Sequence, residues 1–262
     1  MRSPFTVALA LSAAAFAAGC YAPEVRHASF RQEWSATQIE RVEVRGTNGR
    51  IEIEAAAVET VQMDARIRSS KRRSSARIED FIVIRHEGGT LTIREKRARR
   101  GIRIFPFGRG GNEIDFTITL PARIEVSATT VNGRVEVDGV AAPMELSTVN
   151  GRIEVSTPGA ELKASTVNGS IRAEFREQFL GAKLNSVNGS IRIEVPRDAS
   201  LDLDIHQVNG SFRTDLPVVV TSGGRGGSHG SLHGGKYPLE INTVNGSVRL
   251  RQADAPLDAT SG

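Results

Sequence analysis

The sequence predicts an all-β protein, and within that class a β-solenoid made of a pair of sheets with about 18–21 residues per coil. Three observations lead there. One phrase recurs seven times: TNGRIEIE from Thr47, TVNGRVEV from Thr130, TVNGRIEV from Thr148, TVNGSIRA from Thr166, SVNGSIRI from Ser186, QVNGSFRT from Gln207 and TVNGSVRL from Thr243. The residues on either side of each phrase alternate apolar and polar at period two, which is strand spacing. No stretch of useful length carries the helical period, and only 5% of residues are aromatic, which suits a thin core filled by Val and Ile.

Each unit reads as strand, Asn-Gly corner, strand, second turn. Before the corner the inward positions are pairs such as Met144/Leu146, Leu162/Ala164, Leu203/Ile205 and Leu239/Ile241. After it they are Ile51/Ile53, Val135/Val137, Ile153/Val155, Ile171/Ala173, Ile191/Ile193 and Val248/Leu250, with Phe212/Thr214 as the one leak. Gly139, Pro143, Pro158 or Gly159 marks the second turn. Successive asparagines are 84, 18, 18, 20, 21 and 36 residues apart. The gap of 36 is one unit plus an insertion, with residues 222–235 (SGGRGGSHGSLHGG) as Gly-rich filler. The gap of 84 is expected to hold degenerate units without Asn-Gly, at roughly 58–67, 78–87, 90–96 and 112–128, with Gly88-Gly89 turning a hairpin.

Asn-Gly is also the strongest two-residue hairpin signal, so an antiparallel meander is the alternative architecture. The solenoid is preferred because stacking rewards the same residue in every coil. The structural corner is then Asn48, Asn132, Asn150, Asn168, Asn188, Asn209 and Asn245. Stacked at ~4.8 Å, their amides form a buried hydrogen-bonded ladder, and the following glycine supplies a positive φ. One feature opposes this reading. The fourth residue after Asn runs Glu136, Glu154, Arg172, Arg192, Arg213, Arg249, which stacks like charges; Arg134, Arg152, Glu174 and Glu194 are placed to offset them diagonally.

The recurrent TVNGxIxV, the phrase ITLPARIEV at 118–126 and the close SLHGGKYPLEINTVNG at 231–246 resemble the bacterial putative-adhesin family of β-strand-repeat envelope proteins. The resemblance spans roughly residues 40–252. It implies an exported or membrane-anchored protein of unknown biochemical function, and it brings no catalytic residue with it. The start of the chain agrees. Met1-Arg2 is followed by an apolar run, Phe5 to Ala18, too short to span a bilayer. Ala17-Ala18-Gly19-Cys20 resembles a lipobox, with Ala17 where Leu is usual, so Cys20 is the expected lipidation site. Tyr21 after it is compatible with the outer membrane. The expected organisation is a lipoprotein signal peptide at 1–19, a lipid-anchored tether at 20–38, the repeat domain at 39–252 and a disordered tail at 253–262.

The formal net charge is +4, but it is unevenly spread. Residues 66–103 hold thirteen Lys or Arg against Glu79, Asp80, Glu87 and Glu95. Arg72, Arg73, Arg97, Arg99 and Arg100 are therefore candidate anion-binding residues for an envelope polymer or lipid head groups. A protein partner is a further candidate; nucleic acid is not expected for an exported chain. A single Cys excludes a disulfide framework and multi-cysteine metal sites. The strings at 226–230 and 230–236 imitate a nucleophile elbow and a phosphate loop, but neither precedes a helix. His229 and His233 lack a third ligand for a metal. The acid pairs Glu52/Glu54 and Glu136/Asp138 face outward from strands rather than converging on a cleft, as glycoside hydrolysis requires. The sequence thus points to a non-catalytic, adhesin-like binding or scaffold module of the cell envelope, without cofactor or metal. Self-association or protein-partner assembly is the alternative, and a carbohydrate-active enzyme is the weakest reading.

Overall fold

The computed structural model describes residues 26–69, 77–96, 112–224 and 227–253. Among these residues two sheets, of ten and eleven strands, lie face to face around one apolar core. Each Asn-Gly phrase carries the chain from one sheet to the other. Met144–Asn150 lies in the eleven-stranded sheet and Ile153–Thr157 in the ten-stranded one. The next unit repeats this with Leu162–Asn168 and Ile171–Phe175. Equivalent strands pair in parallel and in register, Met144 on Leu162, Asn150 on Asn168 and Ile153 on Ile171. Strands joined by Asn-Gly therefore do not pair with each other, which decides for the solenoid over the meander. The alternating pattern buries Met144, Leu146, Ile153 and Val155 and leaves Glu145 and Glu154 outside.

The coils do not stack in sequence order. The order along the axis is Asn48, Asn132, Asn150, Asn168, Asn188, Asn245, Asn209. The last coil of the chain, Tyr237–Asn245 with Val248–Gln252, is inserted between its two predecessors. The Asn48 coil likewise sits between the Asn132 coil and a coil without Asn-Gly, formed by Thr90–Glu95 and Asn112–Leu120.

Both ends of the stack are finished by antiparallel strands, and here several sequence expectations are corrected. The expected units at 58–67 and 78–87 are not coils. Thr60–Ser69 runs antiparallel to Asn112–Leu120, and Ile82–Glu87 pairs antiparallel with Thr90–Glu95 through the expected Gly88-Gly89 turn, with φ of 56° and 76°. Arg26–Ser35, expected to lie in a tether, is an edge strand against Thr60–Ser69, with Phe30 buried and Trp34 packed against the core. The Gly-rich segment is not filler either. Val219–Gly224 and Gly227–Leu232 form a hairpin that pairs with Leu201–Asn209. Phe212 and Thr214 leak from the pattern because Phe212–Thr214 is a three-residue edge strand, where both stay half-buried.

The quartet Thr-Val-Asn-Gly is explained residue by residue. The Thr is buried at the turn into the corner, and in three coils the hydroxyl reaches the glycine carbonyl of the preceding coil: Thr148 Oγ1 to Gly133 O at 3.1 Å, Thr166 to Gly151 O at 3.5 Å, Ser186 to Gly169 O at 3.4 Å; the buried Thr130 and Thr243 hydroxyls have no partner among the described residues. The Val faces solvent, with Val131, Val149, Val167, Val187 and Val244 each 38–40% exposed. The asparagines form the expected ladder. Asn132, Asn150, Asn168, Asn188, Asn245 and Asn209 are linked by Nδ2–Oδ1 hydrogen bonds of 2.8–3.0 Å, and Asn132 donates on to Asn48. The ladder is exposed rather than buried, since the Asn side chains project from the outer rim of the corner.

The glycine has a different reason from the one expected. Of the seven corner glycines only Gly49 has a φ in the left-handed region, 118°. The other six are needed for close approach. A Cβ on Gly169 would lie 1.6 Å from Gly151 O, and on Gly189 1.6 Å from Gly169 O; Gly133, Gly151, Gly246 and Gly210 meet the carbonyl below at 1.8–1.9 Å. The same approach lets each corner N–H bond the next coil, as Gly151 N does to Asn168 O at 3.1 Å.

Gly169→Ala is expected to destabilise the protein by about 3 kcal/mol, with exposed Ser190→Ala within about 0.5 kcal/mol of wild type, in urea unfolding. Asn150→Ala loses a donated and an accepted hydrogen bond and is expected to cost about 1 kcal/mol, more than Arg152→Ala, whose ion pair is half exposed.

Candidate functional site

A strand period of two and strict register turn each outward position into a column along the stack. On the ten-stranded sheet the column two residues after Asn reads Arg50, Arg134, Arg152, Ser170, Ser190, Ser247, Ser211 in spatial order. The column four residues after Asn reads Glu52, Glu136, Glu154, Arg172, Arg192, Arg249, Arg213, each beside the next across the ladder. Both columns change character between the Asn150 and Asn168 coils.

The two halves differ in how charge is met. In the first, Arg134 bonds Glu136 at 2.7 Å and lies 3.9 Å from Glu154, and Arg152 bonds Glu154 at 3.1 Å. The hydrogen bond to Glu136 holds the Arg134 guanidinium above its already high ordinary pKa. In the second half, Arg172 reaches Glu194 at 3.3 Å and Arg251 reaches Asp215 at 3.4 Å. The expected diagonal offset thus holds for Arg134 and Glu194, while Arg152 pairs with Glu154 on its own strand and Glu174 faces Arg176 instead, at 3.7 Å. Among the described residues no carboxylate oxygen lies within 4.0 Å of Arg192, Arg249 or Arg213. Sequence reasoning met these arginines as an objection to stacking rather than as a site. Their shared offset from Asn was the signal that could have found them.

The acid pairs Glu52/Glu54 and Glu136/Asp138 share a shallow depression of about 480 Å³ on this face with Glu154 and Glu174. They lie side by side on one pleated surface, with no opposing wall to place a substrate between them. A larger groove of about 870 Å³ lies at the other end of the stack, bordered by His206, Gln207, Val208 and Phe212. Beside it Asp204 Oδ1 is 3.3 Å from His206 Nε2 and 3.1 Å from His229 Nδ1. His233 is elsewhere, in the following turn, with Nδ1 3.1 Å from Ala199 O. Ser228 and His229 stand in a strand, not at a strand-to-helix elbow.

The seven corner asparagines belong to the frame. Cys20 and the candidate anion-binding residues Arg72, Arg73, Arg97, Arg99 and Arg100 lie outside the described residues. The stubs of the two basic loops are brought together: Lys96 N donates to Phe81 O at 2.6 Å, and Lys96 Nζ to Glu79 O at 2.9 Å.

Residues 122–251 match the family model described as Toastrack DUF4097. That segment is a Toastrack domain. The matched segment holds six of the seven Asn-Gly corners; the Asn48 coil lies outside it yet continues the same Toastrack ladder. No curated protein matches the sequence. Among solved structures, the chain is similar to a "putative cell adhesion protein" from Clostridium sporogenes, at 12% identity and a TM-score of 0.44, covering 87% of this chain and 100% of that one. It is similar to a "putative adhesin" from Bacteroides fragilis, at 13% identity and a TM-score of 0.31, covering 85% and 96%. A "putative lipid binding protein" from Parabacteroides distasonis gives 14% identity and a TM-score of 0.32, covering 86% and 97%.

On the eleven-stranded sheet of the Toastrack domain, Lys183 bonds Glu240 at 2.8 Å and Asn242 donates to the same carboxylate at 3.0 Å. These bonds, the lysine's first, lower the Glu240 pKa from its ordinary 4.5. A depressed carboxylate adds stability above the unfolded pKa and loses it as pH falls through the folded one. Glu240→Gln is therefore expected to be less stable than wild type at pH 7, by under about 1 kcal/mol for so exposed a pair, with the gap closing well below pH 4.5. Thermal melts of both proteins across that range check it.

Proposed function

We propose that the protein is a lipid-anchored, non-catalytic binding module of the cell envelope, held to the outer membrane through Cys20 on its periplasmic or surface face. The observation that carries this reading is the stacked frame: a stiff double sheet whose outward residues repeat in columns at ~4.8 Å, a geometry for contacting repeating or extended partners. The Ala17-Ala18-Gly19-Cys20 sequence supports the anchor, and the basic loops around Arg72, Arg73, Arg97, Arg99 and Arg100 support an anionic envelope component as ligand.

Self-association is the second reading, favoured by one feature. Phe212–Thr214 is an outermost strand, next to Val208 at 71% exposure. An open strand edge can pair with another chain.

Metabolic labelling with palmitate is expected to mark the wild-type protein and leave Cys20→Ala unlabelled. Co-sedimentation of the protein with envelope polymers is expected to weaken as salt rises, and to be lost when Arg72, Arg73, Arg99 and Arg100 are reversed to Glu. Equal labelling of the Cys20 variant removes the anchor, and unchanged binding by the reversed loops removes their role. Sedimentation at increasing concentration reads the alternative, which predicts an oligomer.

A further inference from the structure

Arg192, Arg249 and Arg213 stand on three adjacent parallel strands in direct register. At ~4.8 Å per strand the column spans roughly 10 Å. Like charges directly opposite one another across a ladder are destabilising. The frame does not force this arrangement: at the same offset from Asn, three other coils carry Glu52, Glu136 and Glu154, and there the flanking Arg134 and Arg152 meet the charge of Glu136 and Glu154. In the arginine half that flanking column is Ser190, Ser247 and Ser211, all exposed hydroxyls. Two residues further along the same strands, Glu194 is engaged by Arg172 and Asp215 by Arg251.

We infer that the Arg192–Arg249–Arg213 column is a binding site for a linear anionic glycan, a polymer bearing a carboxylate, sulfate or phosphate on successive sugar units. Each guanidinium offers forked donors to one oxyanion, and the serine column alongside offers hydrogen bonds to sugar hydroxyls. The column is one residue wide and runs along the stack, which fits a strand of polymer better than the plane of a bilayer. The outward positions along these strands are Ser, Arg, Glu and Asp, without the outward aromatic side chains that seat a protein in lipid head groups. The inference rests on the envelope-binding reading and gives it a ligand class and a second location, remote in sequence from the basic loops.

The test uses the full-length chain with Cys20→Ser, so that no acyl chain contributes, and a fluorescently labelled short oligogalacturonate. Anisotropy titrations are expected to show binding that weakens with salt. The triple variant Arg192→Gln, Arg213→Gln, Arg249→Gln is expected to lose affinity about tenfold or more and to flatten the salt dependence. The double variant Arg134→Gln, Arg152→Gln removes paired arginines from the same face and is expected to change affinity by less than about twofold. Glu reversal of Arg72, Arg73, Arg99 and Arg100 separates the two locations. If the triple variant binds as wild type while the loop variant does not, the column is overturned and the envelope-binding reading stands. If wild type binds neither the oligogalacturonate nor any envelope fraction, both fall. Equal binding of a neutral glucan, or binding to phosphatidylglycerol vesicles without binding to the glycan, overturns the inference. So does a salt-sensitive dimer that the triple variant abolishes, which would assign the column to a second copy of the chain.

Discussion

The structure depends on how closely the corner backbones approach. At Gly169 and Gly189 the space for a Cβ is taken by a carbonyl oxygen 1.6 Å away, belonging to the glycine of the adjacent coil. That approach fixes coil on coil at strand spacing and lets the corner N–H bond across the gap. Once the corner is set, the Asn amides fall into line, the hydroxyls of Thr148, Thr166 and Ser186 reach glycine carbonyls, and both sheets inherit the same register. A corner glycine therefore acts on two sheets at once, whereas an outward residue acts only on its own column.

This division leaves the outer surface free to vary. The frame is indifferent to whether the fourth residue after Asn is Glu or Arg, and the chain uses both in separate blocks. In the Glu block Glu136 and Glu154 are met within the protein; in the Arg block Arg192, Arg249 and Arg213 have no carboxylate within 4.0 Å among the described residues. The Toastrack match ends at residue 251, within the final coil, and so includes the whole arginine block.

The sequence carried the repeat, the inward alternation and the corner asparagines plainly, because period two and a recurring Asn-Gly have few structural solutions. The parallel pairing was readable from the identity of successive coils, Thr148-Val149-Asn150-Gly151 against Thr166-Val167-Asn168-Gly169. The role of the glycine was misread, since a positive φ and a close approach demand the same residue and only the folded backbone tells them apart. The end strands escaped for another reason. Thr60–Ser69 and Gly227–Leu232 lack the Asn-Gly phrase, and nothing local in a strand says which edge it will join. The arginine column was visible as a periodicity, but its lack of partners depends on which carboxylates other strands bring near, and that is a property of the assembled face.

The position of the Asn245 coil sets an order of events. A chain made from its N-terminus can stack the coils from Asn132 to Asn188 as each appears, because neighbours in space are neighbours in sequence. That growth stops at Leu201–Asn209, whose partner strand Tyr237–Asn245 has not yet been made. The double sheet is completed by its last repeat, which enters between two coils rather than adding to the end. A chain made from its N-terminus thus keeps a gap in its double sheet until Tyr237–Gln252 has been made, so the Leu201–Asn209 coil docks only after a segment that follows it in sequence.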